Sequence, residues 1–358
     1  VTTNKTLIRA LHEPEMILSL DAVGFAELMR LAQWEVLAGR LAYRAQQSGV
    51  IEKLDPVAAD VLRDALIVTK TNQQRMIFEL SRIDRALEDY EGPKILLKGL
   101  AYLALNLPGA EGRLCSDVDF LSPRNDLAEI EQLLRAHGWV AAKSDEYDEH
   151  YYREWMHELP PMRHATRGII VDIHHAILPK TSRLNPAARL LIAEAQTCPL
   201  HGWKVLDGPD MAIHCALHTF YDGDLMGGLR GLFDFSDIMA HFAAQDPRFE
   251  QKLKRRAVEL GVMRPLAYAL RYLRLVLGCD DYKALEIDLR NHLPSRPILA
   301  LMDHLVFSMF LKTEAWHREW GGWQRFFLYI RSHWLRMPPL MLARHLLRKW
   351  WKRRSASH

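Results

Sequence analysis

Residues 94–121 read KILLKGLAYLALNLPGAEGRLCSDVDFL, and the two ends of this stretch decide the fold. The apolar run 95–97 predicts a strand over 94–98 that delivers Lys98 and Gly99. A short helix over 100–106 and a Pro/Gly loop over 107–112 lead to a second strand over 117–121. Side chains alternate along a strand, so Asp117 and Asp119 share one face while Val118 and Phe120 take the other. At roughly 3.3 Å per residue the two carboxylates lie about 6.6 Å apart, close enough to converge on a divalent cation. A third carboxylate comes from GIIVDIHHAI, residues 168–177, where Asp172 and His174 share a face and Val171 and Ile173 the other. Three acidic groups from neighbouring strands are what a Mg²⁺-dependent phosphoryl or nucleotidyl transfer site needs, because they offset the charge of two metal ions.

The chain has 358 residues, 49% hydrophobic and 25% charged, which excludes a disordered protein and favours more than one packed unit. Cys115, Cys198, Cys215 and Cys279 form no CxxC pair, so neither a zinc ribbon nor a disulfide framework is expected, and a reducing, cytoplasmic setting is. The opening VTTNKTLIRALHEPEM lacks the apolar centre of a signal peptide, and no apolar run approaches the roughly 20 residues of a membrane span. The net charge of +3 is unevenly spread. From Gly322 onward there are nine Lys or Arg and no Asp or Glu, so the body is mildly acidic and the tail basic.

Apolar residues at helical spacing predict helices across 15–47 and 55–90, the second opened by the cap Asp55-Pro56. Glu91-Gly92-Pro93 is expected to end it. A helix over 125–137 closes on Gly138 before a strand at 139–143. The acidic segment 144–152 reads as a loop over the site. Residues 152–164 and 168–175 read as antiparallel neighbours, the first interrupted at Pro160-Pro161. From 209 onward the periodicity is helical again, giving an α+β chain: a small mixed sheet with a helical layer before it and a large helical region after it.

Taken in order, Lys98-Gly99, Arg113, Asp117-x-Asp119 and Val171-Asp172-Ile173-His174 resemble the bacterial uncharacterised nucleotidyltransferases, a branch of the DNA polymerase β-like nucleotidyltransferase superfamily. LRGLFDFSDI, with Arg230, Asp234 and Asp237, resembles that family's helical region. The resemblance covers roughly residues 18–346; the periodicity and charge pattern divide the chain into an N-terminal helical region over 1–92, a nucleotidyltransferase α/β core over 93–207, a helical domain over 208–321 and a basic aromatic tail over 322–358. The resemblance implies that Asp117, Asp119 and Asp172 bind Mg²⁺ or Mn²⁺, with Asp172 as base for the acceptor hydroxyl. Lys98, Gly99, Arg113, Ser116 and His174 would then contact an NTP such as ATP, Gly99 by letting backbone N–H groups approach the triphosphate, while His174 reads equally as a structural hydrogen-bond partner of a carboxylate. Leu100 stands where the wider superfamily usually has a second small residue, and the interval from Gly99 to Asp117 is longer than usual.

A strand-borne DxD also occurs in haloacid-dehalogenase phosphatases and metal-dependent glycosyltransferases. The former want an apolar strand before the first Asp, where this chain has Arg113-Leu114-Cys115-Ser116. The expected reaction moves an NMP to an acceptor hydroxyl on a protein, peptide, small molecule or tRNA, with release of pyrophosphate. The rival readings are a non-catalytic nucleotide-binding scaffold on the same fold and a kinase-like enzyme, the latter without a Walker A or kinase Gly-rich loop. His214 and His218 lack the Glu and further ligands of a zinc site, and Asp222 and Asp224 read as a turn. Arg230, Asp234 and Asp237 most simply pair within their helix, with lining of the cleft as the alternative. RHLLRKWWKRR reads as a solvated end, with contact to RNA or to a membrane surface as the alternatives.

Overall fold

The structure, a computed structural model, describes residues 3–142, 146–200, 202–222, 225, 227–311 and 321–338. The N-terminal layer is helical as its periodicity predicts, but it is cut into α1 (Asn4–His12), α2 (Ala22–Trp34), α3 (Ala38–Gln47) and α4 (Pro56–Ala86). The break between α2 and α3 falls at Val36, whose φ of 58° turns the chain out of the helix. Asp55 caps α4 as expected: its carboxylate accepts from Val57 N and Ala58 N, with Pro56 in the first turn. The helix stops at Ala86, ahead of the predicted Glu91-Gly92-Pro93 breaker.

Among the described residues the strands form one mixed sheet in the order β3-β4-β5-β2-β1-β7-β6. They are β1 (Ile95–Leu96), β2 (Val118–Leu121), β3 (Trp139–Ala141), β4 (Met162–His164), β5 (Ile170–His174), β6 (Gln196–Thr197) and β7 (Lys204–Val205). β2 runs antiparallel to β1 and parallel to β5. Between them come α5 (Lys98–Ala104), α6 (Leu127–Ala136), α7 (Glu146–Trp155) and α8 (Ala188–Glu194). Gly138, at φ 90°, turns the chain from α6 into β3. Two expectations are corrected. Most of the segment read as a loop over the site is α7, and only the last part of 152–164 is a strand, because α7 runs on to Trp155 and Pro160-Pro161 follows.

The C-terminal part is helical: α9 (Gly208–Leu217), α10 (Gly228–Gln245), α11 (Phe249–Glu259), α12 (Met263–Leu277), α13 (Lys283–Leu289), α14 (Arg296–Phe310) and α15 (Gly321–Arg336). A π-helical turn, His218–Asp222, continues α9. One apolar core runs from Leu7 in α1 through Phe120 and Val171 in the sheet to Leu328 in α15. No helix of the described residues is long and apolar enough to cross a membrane. The first part of the basic stretch 322–358 belongs to α15; residues 339–358, with RHLLRKWWKRR, lie outside the described residues.

Candidate active site

β2 and β5 pair residue for residue, which sets Asp119 beside Asp172 and Phe120 beside Ile173. Val118, Phe120, Val171 and Ile173 all fill the core, so alternation sends the two carboxylates to the opposite face. Asp117, in the bend ahead of β2, completes the group: ligand oxygens of Asp117, Asp119 and Asp172 lie within 4.8 Å of one another.

Two nitrogen groups already face Asp119. Lys98 Nζ is 2.6 Å from its Oδ1, and His174 Nε2 is 3.0 Å from the same oxygen. Lys98 is held there by a backbone with φ 51°, a region that costs a non-glycine residue about 1 kcal/mol or more. Burial raises the pKa of Asp119, but Lys98 and His174 outweigh it and hold the carboxyl well below the usual range. Burial likewise opposes the charge on Lys98, and Asp119 overcomes it, so the ammonium is held above the ordinary lysine value.

Asp172 is placed differently. Its Oδ1 is buried with no hydrogen-bond partner, and burial, reinforced by Asp119 and Glu158, pushes its pKa up to about 7. Burial and then Asp119 also raise Asp117, whose Oδ1 accepts from Ser116 Oγ at 2.8 Å. Three hard oxygen donors, two with raised pKa and one with an orphaned buried oxygen, match what a divalent cation requires of its ligands.

The resemblance did not mark Glu158. An isolated bridge pairs it with His174, and its Oε2 lies 3.5 Å from His174 Nε2 and 3.9 Å from His157 Nε2. No motif announces it, since it sits in the irregular stretch between α7 and Pro160-Pro161.

Asp117 opens onto a cleft of about 200 Å³ between the loop ahead of β2 and the C-terminal helices, lined also by Lys98, Ser116, His214, Thr219 and Arg230 among others. The loop that brings Arg113 to Asp117 is fixed from α4. Asn72 Nδ2 donates to Cys115 O at 2.9 Å while its Oδ1 accepts from Cys115 N at 2.8 Å. Gln73 Nε2 reaches the carbonyls of Ala110, Glu111 and Arg113 at 2.8, 3.1 and 2.9 Å.

Gly99 has a packing reason, because a Cβ there would lie 2.1 Å from Arg113 Nη1 and 2.7 Å from Cys115 Sγ. Arg113 is not a free cation: its Nε donates to Asp234 Oδ2 at 2.9 Å, and its guanidinium lies 5.2 Å from the Tyr102 ring centroid. Asp237 makes a two-pronged pair with Arg40 of α3, at 2.6 and 2.7 Å. The expected pairing within α10 is therefore corrected, since its two carboxylates reach across to other elements. Arg230 is left facing the cleft with no hydrogen bond or ion pair to a described residue; burial and then Arg113 lower its pKa. His214 and His218 line the same cleft or its edge, and neither belongs to a group of potential metal ligands among the described residues.

No curated protein and no solved structure matches the chain. A family model described as uncharacterised nucleotidyltransferase matches residues 21–278. That span runs from Asp21, the cap of α2, to Gly278, the cap of α12, and includes every cleft residue named above. The chain belongs to the family of uncharacterised nucleotidyltransferases.

Proposed function

We infer that the protein is a metal-dependent nucleotidyltransferase of the DNA polymerase β-like kind, which moves an NMP from an NTP to an acceptor hydroxyl and releases pyrophosphate. The observation that carries this reading is the convergence of Asp117, Asp119 and Asp172 within 4.8 Å, with the Asp172 Oδ1 buried and unpartnered. These three residues would hold Mg²⁺ or Mn²⁺, which when bound offsets triphosphate charge and polarises the α-phosphate.

Asp172 accepts the proton of the acceptor hydroxyl, and a pKa near 7 suits a base working near neutrality. The acceptor oxygen bonds to the α-phosphorus as the bond to the bridging oxygen of the β-phosphate breaks. The leaving pyrophosphate carries the negative charge away and is met by Lys98 and Arg230. Arg230 takes the role that the sequence assigned to Arg113, because Arg113 is already bound to Asp234. His174 and Ser116 position Asp119 and Asp117 through the hydrogen bonds described above. The acceptor is a hydroxyl on a protein, peptide, small molecule or tRNA.

The test is incubation with each α-labelled NTP, Mg²⁺ or Mn²⁺ and a cell extract. The wild type should transfer label with pyrophosphate release, and Asp172→Asn should lower the rate about 10²–10⁴-fold. Metal-dependent nucleotide binding with no transfer from any NTP would favour the non-catalytic scaffold. Transfer only from γ-labelled NTP would establish a kinase-like reaction instead.

A further inference from the structure

A second cavity, of about 840 Å³, lies on the other side of the π-helical turn. Its size falls within the ~300–1,000 Å³ usual for small-molecule sites. His218 and Thr219 of that turn line the catalytic cleft, whereas Phe220 and Tyr221 line this cavity. Its walls are largely apolar, with Ile298, Leu301, Leu305 and Phe327 contributed by α14 and α15. Ile298, Leu301 and Phe327 are each more than half exposed, so the apolar lining continues to the surface.

Three arginines, Arg183, Arg264 and Arg331, also line the cavity, and no Asp or Glu among the described residues does. Arg331 Nη1 donates to the Phe220 carbonyl at 2.8 Å, and its guanidinium lies 5.6 Å from the Tyr268 ring centroid. Arg264 Nε donates to the His292 carbonyl at 3.0 Å, and the Arg183 guanidinium lies 4.5 Å from the Trp334 ring centroid. None of the three is paired with a carboxylate of the described residues. Two other arginines of the C-terminal helices do have carboxylate partners: Arg256 with Asp210 at 2.7 Å and Arg271 with Asp303 at 2.6 Å. Cations beside apolar walls without counter-charge are unfavourable until an anion joins them.

We propose that this cavity binds a single-chain amphiphile with an anionic head, its hydrocarbon chain among the α14 and α15 side chains and its head on Arg331. Charge argues against the segment 339–358 as occupant, because it carries six Lys or Arg and no acidic residue.

The experiment titrates a fluorescent fatty-acid analogue into the full chain and displaces it with laurate, dodecyl phosphate or dodecanol. Saturable one-to-one binding is expected, with dodecanol displacing at least tenfold more weakly than an anionic ligand. The stronger of laurate and dodecyl phosphate identifies the head as carboxylate or phosphate. Arg331→Met should weaken anion binding tenfold or more. Arg264→Met, whose arginine is bonded at the cavity rim, serves as a second variant should Arg331→Met unfold, and both are checked by thermal unfolding. Equal binding of dodecanol and laurate, unchanged affinity in folded variants of both arginines, or no saturable binding would overturn the proposal. So would binding that arises only after removal of residues 339–358, since the chain itself would then be the occupant.

Discussion

Arg113 and Arg230 line the same cleft, yet of the two only Arg113 has a carboxylate partner among the described residues. The two substitutions should therefore separate. Arg113→Met leaves Asp234 buried and unpaired and is expected to cost about 3–5 kcal/mol of stability. Arg230→Met removes no bond to a described residue and should leave unfolding nearly unchanged. A charge-assisted contact to phosphate is worth about 1.5–3 kcal/mol, so its loss should raise the KM for NTP roughly 10–100-fold. Urea unfolding and steady-state kinetics on both variants check this, and a stability loss in Arg230→Met with unaltered kinetics would reverse the assignment.

Glu35 at the end of α2 offers a test by pH. It is buried, accepts from Asn4 Nδ2 at 2.9 Å, and burial pushes its pKa up to about 7 against the pull of that hydrogen bond. A carboxyl whose pKa is raised in the fold favours folding while protonated. Its contribution is complete below the unfolded value of about 4.3 and is lost as pH rises through about 7. Glu35→Gln should match the wild type near pH 4 and be more stable near pH 8. Thermal unfolding at the two pH values measures the difference, and equal melting temperatures at the higher pH would remove Glu35 as a buried proton holder.

At the level of elements, α10 carries Arg230, Asp234 and Asp237 along one helix, and each meets a different part of the molecule. The Arg113–Asp234 pair should show coupling. Asp234→Leu strands a buried guanidinium, whereas the double substitution Arg113→Met/Asp234→Leu should be about 0.5–3 kcal/mol less damaging than the sum of the singles. A double-mutant cycle by chemical unfolding reads the coupling directly, and strict additivity would mean the pair contributes little.

The same elements show where the sequence was legible. β2 and β5 could be read because a strand with one buried face writes its alternation into a single stretch, and Asp119 and Asp172 followed from it. His174 followed from the same alternation in β5, whereas Lys98 was marked by the Lys-Gly pair that follows the apolar run 95–97. β6 and β7, two residues each, are too short to show a period, and their pairing depends on a distant β1. α7 was mistaken for a loop because its acidic, tyrosine-rich run has no clear apolar stripe. The partners of Arg113, Asp234 and Asp237 lie more than a hundred residues away, so the nearer pairings within α10 looked sufficient. Glu158 was hidden because an isolated bridge leaves no periodic trace.

At the scale of the whole molecule, the sheet is not separable from its helical neighbours. The loop before β2 is bonded to α4, and Arg113 is bonded to α10. A fragment spanning 93–207 would expose the buried Arg113 and leave the Ala110, Glu111, Arg113 and Cys115 carbonyls without their side-chain donors. It should show no cooperative unfolding transition by circular dichroism. A sharp, reversible transition in that fragment would show that the sheet carries its own stability.

The grip of Asn72 and Gln73 on residues 110–115 also explains the long interval between Gly99 and Asp117. Those residues are not slack. The carbonyls of Ala110, Glu111, Arg113 and Cys115 are pinned to adjacent positions of a rigid helix, so α4 acts as a gauge against which Asp117 is set. Shortening the segment would shift the gauge marks relative to the chain and carry Asp117 out of reach of Asp172, even with every acidic residue retained.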